Sequence, residues 1–233
     1  MKRFLICLVG LFLGLSLAQA GEPVRVRLYQ DQDQAIVAIS LAEGYKTYWR
    51  MPGEAGIAPS FAWKGSENLA QAQVEMPAPQ RYDEAEGELI GYRGEVNFWV
   101  KLESEMAGAP IQPKLQLFMG VCQELCLPVN VEVTPEPAPP GLVAKIRENL
   151  PQALAGVHAR LEGQGVLVQL PVKADDIFIE PEAVLAYFSK PEARGEGEYW
   201  LPISGDMTEL SGKTLRLTVI SGARSFVSSV IVD

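Results

Sequence analysis

Two cysteines four residues apart, Cys122 and Cys126 in the stretch GVCQELCLP, are the residues of this chain whose type and spacing could do chemistry. Three uses compete for them: a staple, a metal site and electron exchange. A disulfide that closes a five-residue loop stabilises by about 2 kcal/mol in the chain-entropy model, against about 3 kcal/mol for a fifteen-residue loop, and it ties nothing distant together. Residues four apart in a turn or helical segment do bring their Cα atoms within disulfide range, so the bond can form. Zinc asks for four ligands, and the one histidine, His158, lies far along the chain, where it reads as a surface or packed residue. Cu(I) accepts two thiolates, with Met119 and Met51 as candidate thioethers, although methionines beside strands ordinarily fill cores. Cysteine–histidine catalysis would need the same distant His158. Serine hydrolase motifs, Gly-rich phosphate loops and HxxxH spacings are absent. Thiol–disulfide exchange fits what remains. Glu124, between the thiols, and the acidic balance of the chain are expected to raise the thiol pKa values, which makes the dithiol a better electron donor and a slower attacker.

The N-terminus sets the compartment in which these thiols work. Lys2 and Arg3 precede the apolar run FLICLVGLFLGLSLA, and Ala18-Gln19-Ala20 follows with small residues where a signal peptidase reads. Residues 1–20 are therefore expected to be a cleaved signal peptide, and the protein to be periplasmic. Cys7 leaves with that peptide, so the mature chain carries one cysteine pair in an oxidising compartment, and the redox-active disulfide is its only expected cofactor. Losing two cations and no acids takes the formal charge from −9 to −11, which leaves no basic patch to neutralise phosphates and argues against nucleic acid as a partner. No second apolar run of membrane length follows, so no further span is expected.

The elements that must hold the pair read as short strands. VRVRLYQ, AIVAISL, YKTYWRM, SFAWK, AQVEM, EVNFWVKL, KLQLFM and VNVEV alternate apolar and polar residues between Gly, Pro, Asp and Asn. This spacing predicts an antiparallel β-sandwich over residues 21–134. It is not a true immunoglobulin domain, whose cysteines lie on facing sheets. TPEPAPP reads as an extended linker, and GLVAKIRENL places Leu142, Val143, Ile146 and Leu150 at helical spacing. Residues 135–159 thus form a Pro-rich linker with one short helix. Residues 160–233 alternate again (QGVLVQLP, DIFIE, AVLAYFS, TLRLTVI, SFVSSVIV) and predict a smaller second β-domain of unassigned role. The fold class is all-β.

Three stretches of the first domain, GYKTYWRMPGEAGIAPSFAW, PAPQRYDEAEGELIGYRGEV and MGVCQELCLP before VNVEV, resemble the N-terminal periplasmic domain of the DsbD family of disulfide reductases over residues 22–134. More specifically, they resemble stand-alone bacterial members that keep YWRMPG and a tight cysteine pair followed by proline. The resemblance implies an immunoglobulin-like sandwich in which Cys122 and Cys126 cycle between disulfide and dithiol and relay electrons to or from partner oxidoreductases. The DsbD pair is more widely spaced. The family's acidic-aromatic cap falls on YDEAEG, with Tyr82, Asp83 and Glu84 as modulating residues; Ala85 stands where a phenylalanine is expected, and Tyr82 substitutes from the other side. With no membrane or thioredoxin domain in this sequence, the implied partners are a membrane thiol reductase and periplasmic thioredoxin-like proteins. Tyr48 and Trp49 either pack a strand edge or contact the partner. The rival reading is a non-catalytic binding, assembly or copper-tolerance module with a static disulfide. Solvent access of the sulfurs separates the two, a buried pair favouring the rival.

Overall fold

Strings of alternating character become strands when one wall of the pleat is buried and the other is wet. The computed structural model describes residues 22–233 except 54–55, 85–86, 183–185, 206 and 208, and only the backbone of Glu84; the expected signal peptide and Ala85 lie outside the described residues. The first domain contains β1 (Val24–Asp31), β2 (Gln34–Leu41), β3 (Lys46–Tyr48), β4 (Ser60–Ala62), β5 (Gln71–Glu75), β6 (Gln80–Glu84), β7 (Gly87–Arg93), β8 (Glu95–Glu103), β9 (Leu115–Cys122), β10 (Cys126–Val133) and β11 (Pro135–Pro137). They form two sheets, ordered β11-β1-β2-β8-β5 and β10-β9-β3-β7-β6, with β4 paired to β9. In β8 the alternation is complete: Val96, Phe98, Val100 and Leu102 are buried between residues that are not. Leu28, Val37, Phe98, Leu117 and Met119 meet in the core between the sheets.

All eight expected strings of the first domain contain strands. The β6–β7 hairpin was not among them, because QRYDE and GELIGYR are too polar and too glycine-rich to show the period. Pro135–Pro137, expected in a linker, instead adds to the first sheet as a strand parallel to β1, with Leu28 opposite Pro135. It lies at the sheet edge, where missing N–H donors are tolerated. The helix α1 (Leu142–Glu148) stands where the spacing put it, burying Val143 and ending at Asn149. Its Arg147 guanidinium lies 5.7 Å from the centre of the Trp99 ring on β8.

The second domain has β12 (Gln152–Ala153), β13 (His158–Glu162), β14 (Gly165–Gln169), β15 (Asp176–Pro181), β16 (Ala186–Phe188), β17 (Glu192–Gly195), β18 (Glu198–Gly205), β19 (Thr214–Ser221) and β20 (Arg224–Ile231). Its strands begin earlier than the expected residue 160, since β12 runs parallel to β20 and His158 opens β13. Two sheets, β12-β20-β19-β15 and β13-β14-β18-β16 with β17 on β18, enclose Val166, Val168, Leu201 and Leu217. The protein is thus all-β, with an immunoglobulin-like first domain, a second β-domain and one short helix.

The strand β15 joins the two. Ile177 and Ile179 turn into the second core, while Phe178 on the opposite face belongs to the first. The Phe178 ring meets Trp49 edge-on at 5.8 Å. Asp176 and Glu180, which share the face of Phe178, pair with Arg81 at 3.0 Å and with Arg50 at 3.1 Å. Arg216 of β19 adds a 2.8 Å pair to Glu75 of the first domain and approaches Glu180 at 3.9 Å.

Burial raises the Glu180 pKa above its ordinary value of 4.5, against the pull of Arg50 and Arg216, and Glu75 adds to the rise. A carboxyl whose folded pKa is raised binds protons more readily folded than unfolded, so its contribution to stability grows as pH falls through that window. Lowering the pH from 7 to about 5 should therefore shift the thermal stability difference between wild type and Glu180→Gln in favour of wild type. A shift toward the variant in melting curves would mean that the arginines outweigh the burial.

Candidate redox site

The strands β9 and β10 form a hairpin closed by Gln123, Glu124 and Leu125, which puts Cys122 directly opposite Cys126 in the ladder. Their Cα atoms are 4.0 Å apart and the sulfurs are bonded. Antiparallel ladders contain a narrow type of pair, with Cα atoms about 4.5 Å apart, and a cross-strand disulfide fits that spacing. The four-residue interval is therefore the signature of a tight hairpin. The pair is unequal in exposure: Cys122 is 2% exposed, whereas Cys126 is exposed together with Gln123, Glu124, Leu125 and Leu127.

The alternation of β9 decides what lies near the sulfurs. Leu117, Met119 and Val121 turn into the core, so Gly120 and Cys122 face the other way. Met119, a candidate copper ligand, is thus across the sheet from the disulfide. Met51 packs against the same core, and His158 is exposed in the second domain. Among the described residues no group of three or more His, Cys, Asp or Glu could hold a metal.

Tyr48 reaches the disulfide from the neighbouring strand β3. Its hydroxyl oxygen lies 3.3 Å from Cys126 Sγ and 3.4 Å from Cys122 Sγ. Disulfide sulfurs carry no proton, so the phenol is the donor to both. Two glycines make the slot for its ring: a Cβ on Gly120 would lie 3.2 Å from Tyr48 Cδ2 and Cε2, and one on Gly56 would lie 2.8 Å from Cδ1. Beside the ring, Thr47 Oγ1 donates a buried 2.8 Å hydrogen bond to the Gly120 carbonyl, which holds β3 against β9. On the other flank, a Cβ on Gly91 would stand 2.0 Å from the Thr47 carbonyl oxygen, so only glycine lets β7 approach this closely.

Tyr48, Leu89 and Cys122 form a small buried cluster of their own, against which Ile57 and Tyr82 pack. Tyr82 and Leu89 face each other across the β6–β7 ladder. The Tyr82 hydroxyl donates to Gln80 Oε1 at 2.7 Å, and the Arg93 guanidinium stands 4.3 Å from its ring centre. Burial raises the Tyr82 pKa and Arg93 opposes the rise, so the phenol is neutral at pH 7. Tyr82 therefore packs against the cluster that contains Cys122, although it does not line the pocket at the disulfide.

Other expectations are redistributed. Asp83 is exposed and lines a groove with Asp175, Asp176 and Arg224 between the domains. It does not line the small pocket of about 100 Å³ at the disulfide. The Glu84 side chain lies outside the described residues. Glu124 does line that pocket, and so do Glu88 and Lys46, which the sequence reading had not singled out. Lys46 is directly opposite Cys122 in the β3–β9 ladder. The charge around the sulfurs is thus mixed rather than purely acidic. Trp49 is fully buried against Phe178 and offers a partner no surface; Tyr48, 7% exposed, offers its hydroxyl to the sulfurs instead. Lys46 and Tyr48 stand two apart in YKTYW and so share a face, but only the strand register reveals that the cysteines share it too.

Comparison with known proteins places the cysteine hairpin in a family. The family model for the N-terminal domain of the thiol:disulfide interchange protein DsbD matches residues 16–137, just over half of the chain. No curated protein matches the sequence. Among solved structures, the N-terminal periplasmic domain of ScsB from Proteus mirabilis is similar in fold, with a TM-score of 0.68 at 20% identity over 89% of this chain and 92% of that one. The reduced DsbD N-terminal domain of Neisseria meningitidis matches 48% of this chain and 83% of its own at 22% identity, with a TM-score of 0.33. The complex of the DsbD and PilB N-terminal domains from the same organism matches 51% of this chain and 87% of its own, at 20% identity and a TM-score of 0.34. With its cysteine hairpin inside the matched segment, the chain belongs to the DsbD N-terminal domain family.

Proposed function

We propose that the protein is a periplasmic thiol–disulfide interchange module that relays electrons through Cys122 and Cys126, and that a partner thiolate attacks Cys126. The observation that carries this reading is the unequal exposure of the pair, with Cys126 open to solvent and Cys122 buried under Tyr48. In the reducing half-cycle a partner thiolate forms a bond to Cys126 Sγ, the Cys122–Cys126 bond breaks, and Cys122 Sγ leaves with the electron pair. The Tyr48 hydroxyl donates to that leaving thiolate, and Lys46 flanks it. The partner's second thiolate then attacks its own sulfur in the mixed disulfide and releases Cys126. Two electrons and two protons have then passed from the partner dithiol, which becomes a disulfide, to this pair. Delivery to an oxidised partner runs the same steps in reverse.

Family membership supports a membrane thiol reductase and thioredoxin-like proteins as partners, and a neisserial DsbD N-terminal domain forms a complex with a PilB N-terminal domain. Leu125 and Leu127, exposed on either side of Cys126, supply apolar surface for docking around the reacting sulfur. The signal-like residues 1–20 support a periplasmic location. Cu(I) binding by the reduced pair is less well supported, because Met119 faces away from the sulfurs.

Trapping separates the roles of the cysteines. Cys122→Ser should accumulate a mixed disulfide through Cys126 on non-reducing gels when mixed with a thioredoxin-like partner that lacks its resolving cysteine and whose remaining cysteine is activated as a disulfide with thionitrobenzoate, which leaves as the thiolate when Cys126 attacks. Cys126→Ser should accumulate little, and equal trapping by both variants would overturn the assignment. Tyr48→Phe should slow reduction of the disulfide by about tenfold, because a hydrogen bond to a charged sulfur is stronger than one to a neutral sulfur. An unchanged rate would remove Tyr48 from the mechanism. Reduction itself should cost about 2 kcal/mol at most in denaturant titrations. Global unfolding on reduction would restore the staple.

A further inference from the structure

We infer that the second β-domain is a working part of the disulfide site: clamped by Asp176, Arg81 positions Tyr82 and Leu89 against Cys122. The functional consequence rests on the interchange reading above, whereas the clamp itself does not. Successive residues of a strand project to opposite faces. On β6, Tyr82 turns to the cluster of Tyr48, Leu89 and Cys122, so Arg81 turns to the second domain. Its Nε lies 3.0 Å from Asp176 Oδ2 and its Nη2 lies 3.3 Å from Asp176 Oδ1, a two-pronged pair on a planar carboxylate. Nη2 also reaches the Ile177 carbonyl at 3.5 Å, and the guanidinium stands 4.9 Å from the Phe178 ring centre. Nη1 holds Glu88 on β7, so the same cation links both strands of the hairpin to β15.

Two features make this clamp more than a surface ion pair. The Arg81 side chain is only 6% exposed, so removing Asp176 leaves a buried cation with Glu88 as its remaining carboxylate and two of its donors facing the emptied site. Among the described residues, the strand that carries it is the outermost of its sheet, paired with β7 alone. Asp176 is itself oriented, because its Oδ1 accepts a 2.8 Å hydrogen bond from the Ile177 amide. An Arg81 released from Asp176 moves outward and takes Tyr82, its neighbour on the same strand, away from the Tyr48–Leu89–Cys122 cluster. The second domain thereby sets how well the buried sulfur is shielded.

Accessibility of a single thiol tests this without requiring turnover. In a Cys126→Ser background, the rate at which iodoacetamide alkylates Cys122 reports the cover over that sulfur. Adding Asp176→Ala should raise this rate about tenfold, and Arg81→Met should do the same, because both free the outer strand to open locally. Arg216→Ala breaks a different ion pair of the same interface and should leave the rate within about twofold. Tyr82→Ala should raise the rate by itself, and Asp176→Ala added to it should raise it little further. Rates unchanged in Asp176→Ala, equally raised in Arg216→Ala, or simply multiplied in the Tyr82–Asp176 double variant would each overturn the clamp. Should Asp176→Ala fail to fold, Asp176→Asn keeps the shape and one acceptor, and an intermediate acceleration is then expected; an unchanged rate counts against the clamp. Failure of the interchange reading would appear separately, as absence of mixed-disulfide trapping with the alkylation pattern intact.

Discussion

Tyr48 stands in a slot lined by two residues without side chains, and the approach of its hydroxyl to the cysteine hairpin depends on that accommodation. Its ring lies between Gly120 and Gly56: a methyl group on Gly56 would collide with it at 2.8 Å, and one on Gly120 would crowd it at 3.2 Å. With the ring held this way, its hydroxyl meets both sulfurs at hydrogen-bonding distance. The buried bond from Thr47 to the Gly120 carbonyl and the glycine contact between β7 and β3 then set the spacing of three strands around one phenol. Close packing of this kind leaves little freedom: shifting any one of these strands moves the donor relative to the sulfurs.

Behind this site lies an interface in which charge is distributed with the period of a strand. Asp176, Phe178 and Glu180 present acid, ring and acid on one face of β15, and the first domain answers with Arg81, Trp49 and Arg50. A buried ion pair contributes little net stability, because desolvation offsets attraction, whereas breaking one is costly. Such pairs therefore serve better to fix how two surfaces meet than to hold them together. The apolar contact of Trp49 with Phe178 supplies attraction, and the flanking pairs supply orientation.

Much of this architecture was legible in the chain. Alternation revealed the eight strings of the first sandwich, helical spacing revealed α1, and the cysteine interval in its sequence context pointed to the chemistry. The β6–β7 hairpin escaped because its strands are polar on one side and glycine-broken on the other, yet it carries Tyr82, Glu88 and Arg81. DIFIE was recognisable as a strand, but periodicity does not tell which of its two faces meets a neighbouring domain. The burial of Trp49 against the second domain and the place of Asp83 in the groove between the domains were hidden for a related reason. Periodicity assigns residues to faces, and only the pairing of strands decides what each face sees. The same limit hid Lys46, whose position opposite Cys122 is a property of register.

The cysteine hairpin ends on the outermost strand of its sheet, and β10 has consequences for self-association. A strand with an unpaired edge is a template on which another copy can add, and a loop that is to admit a partner's thiol, as proposed for this one, is not free to be covered. Pro128, two residues beyond Cys126 and opposite Gly120, has no amide hydrogen to offer such an intruder. Exposed Asn130 and Glu132 continue the same side of the strand with polar groups, while Val129, Val131 and Val133 pack against the core. The proline after the cysteine pair thus guards against fibril-like stacking, and a foreign sulfur can reach the edge where a foreign backbone finds little to pair with.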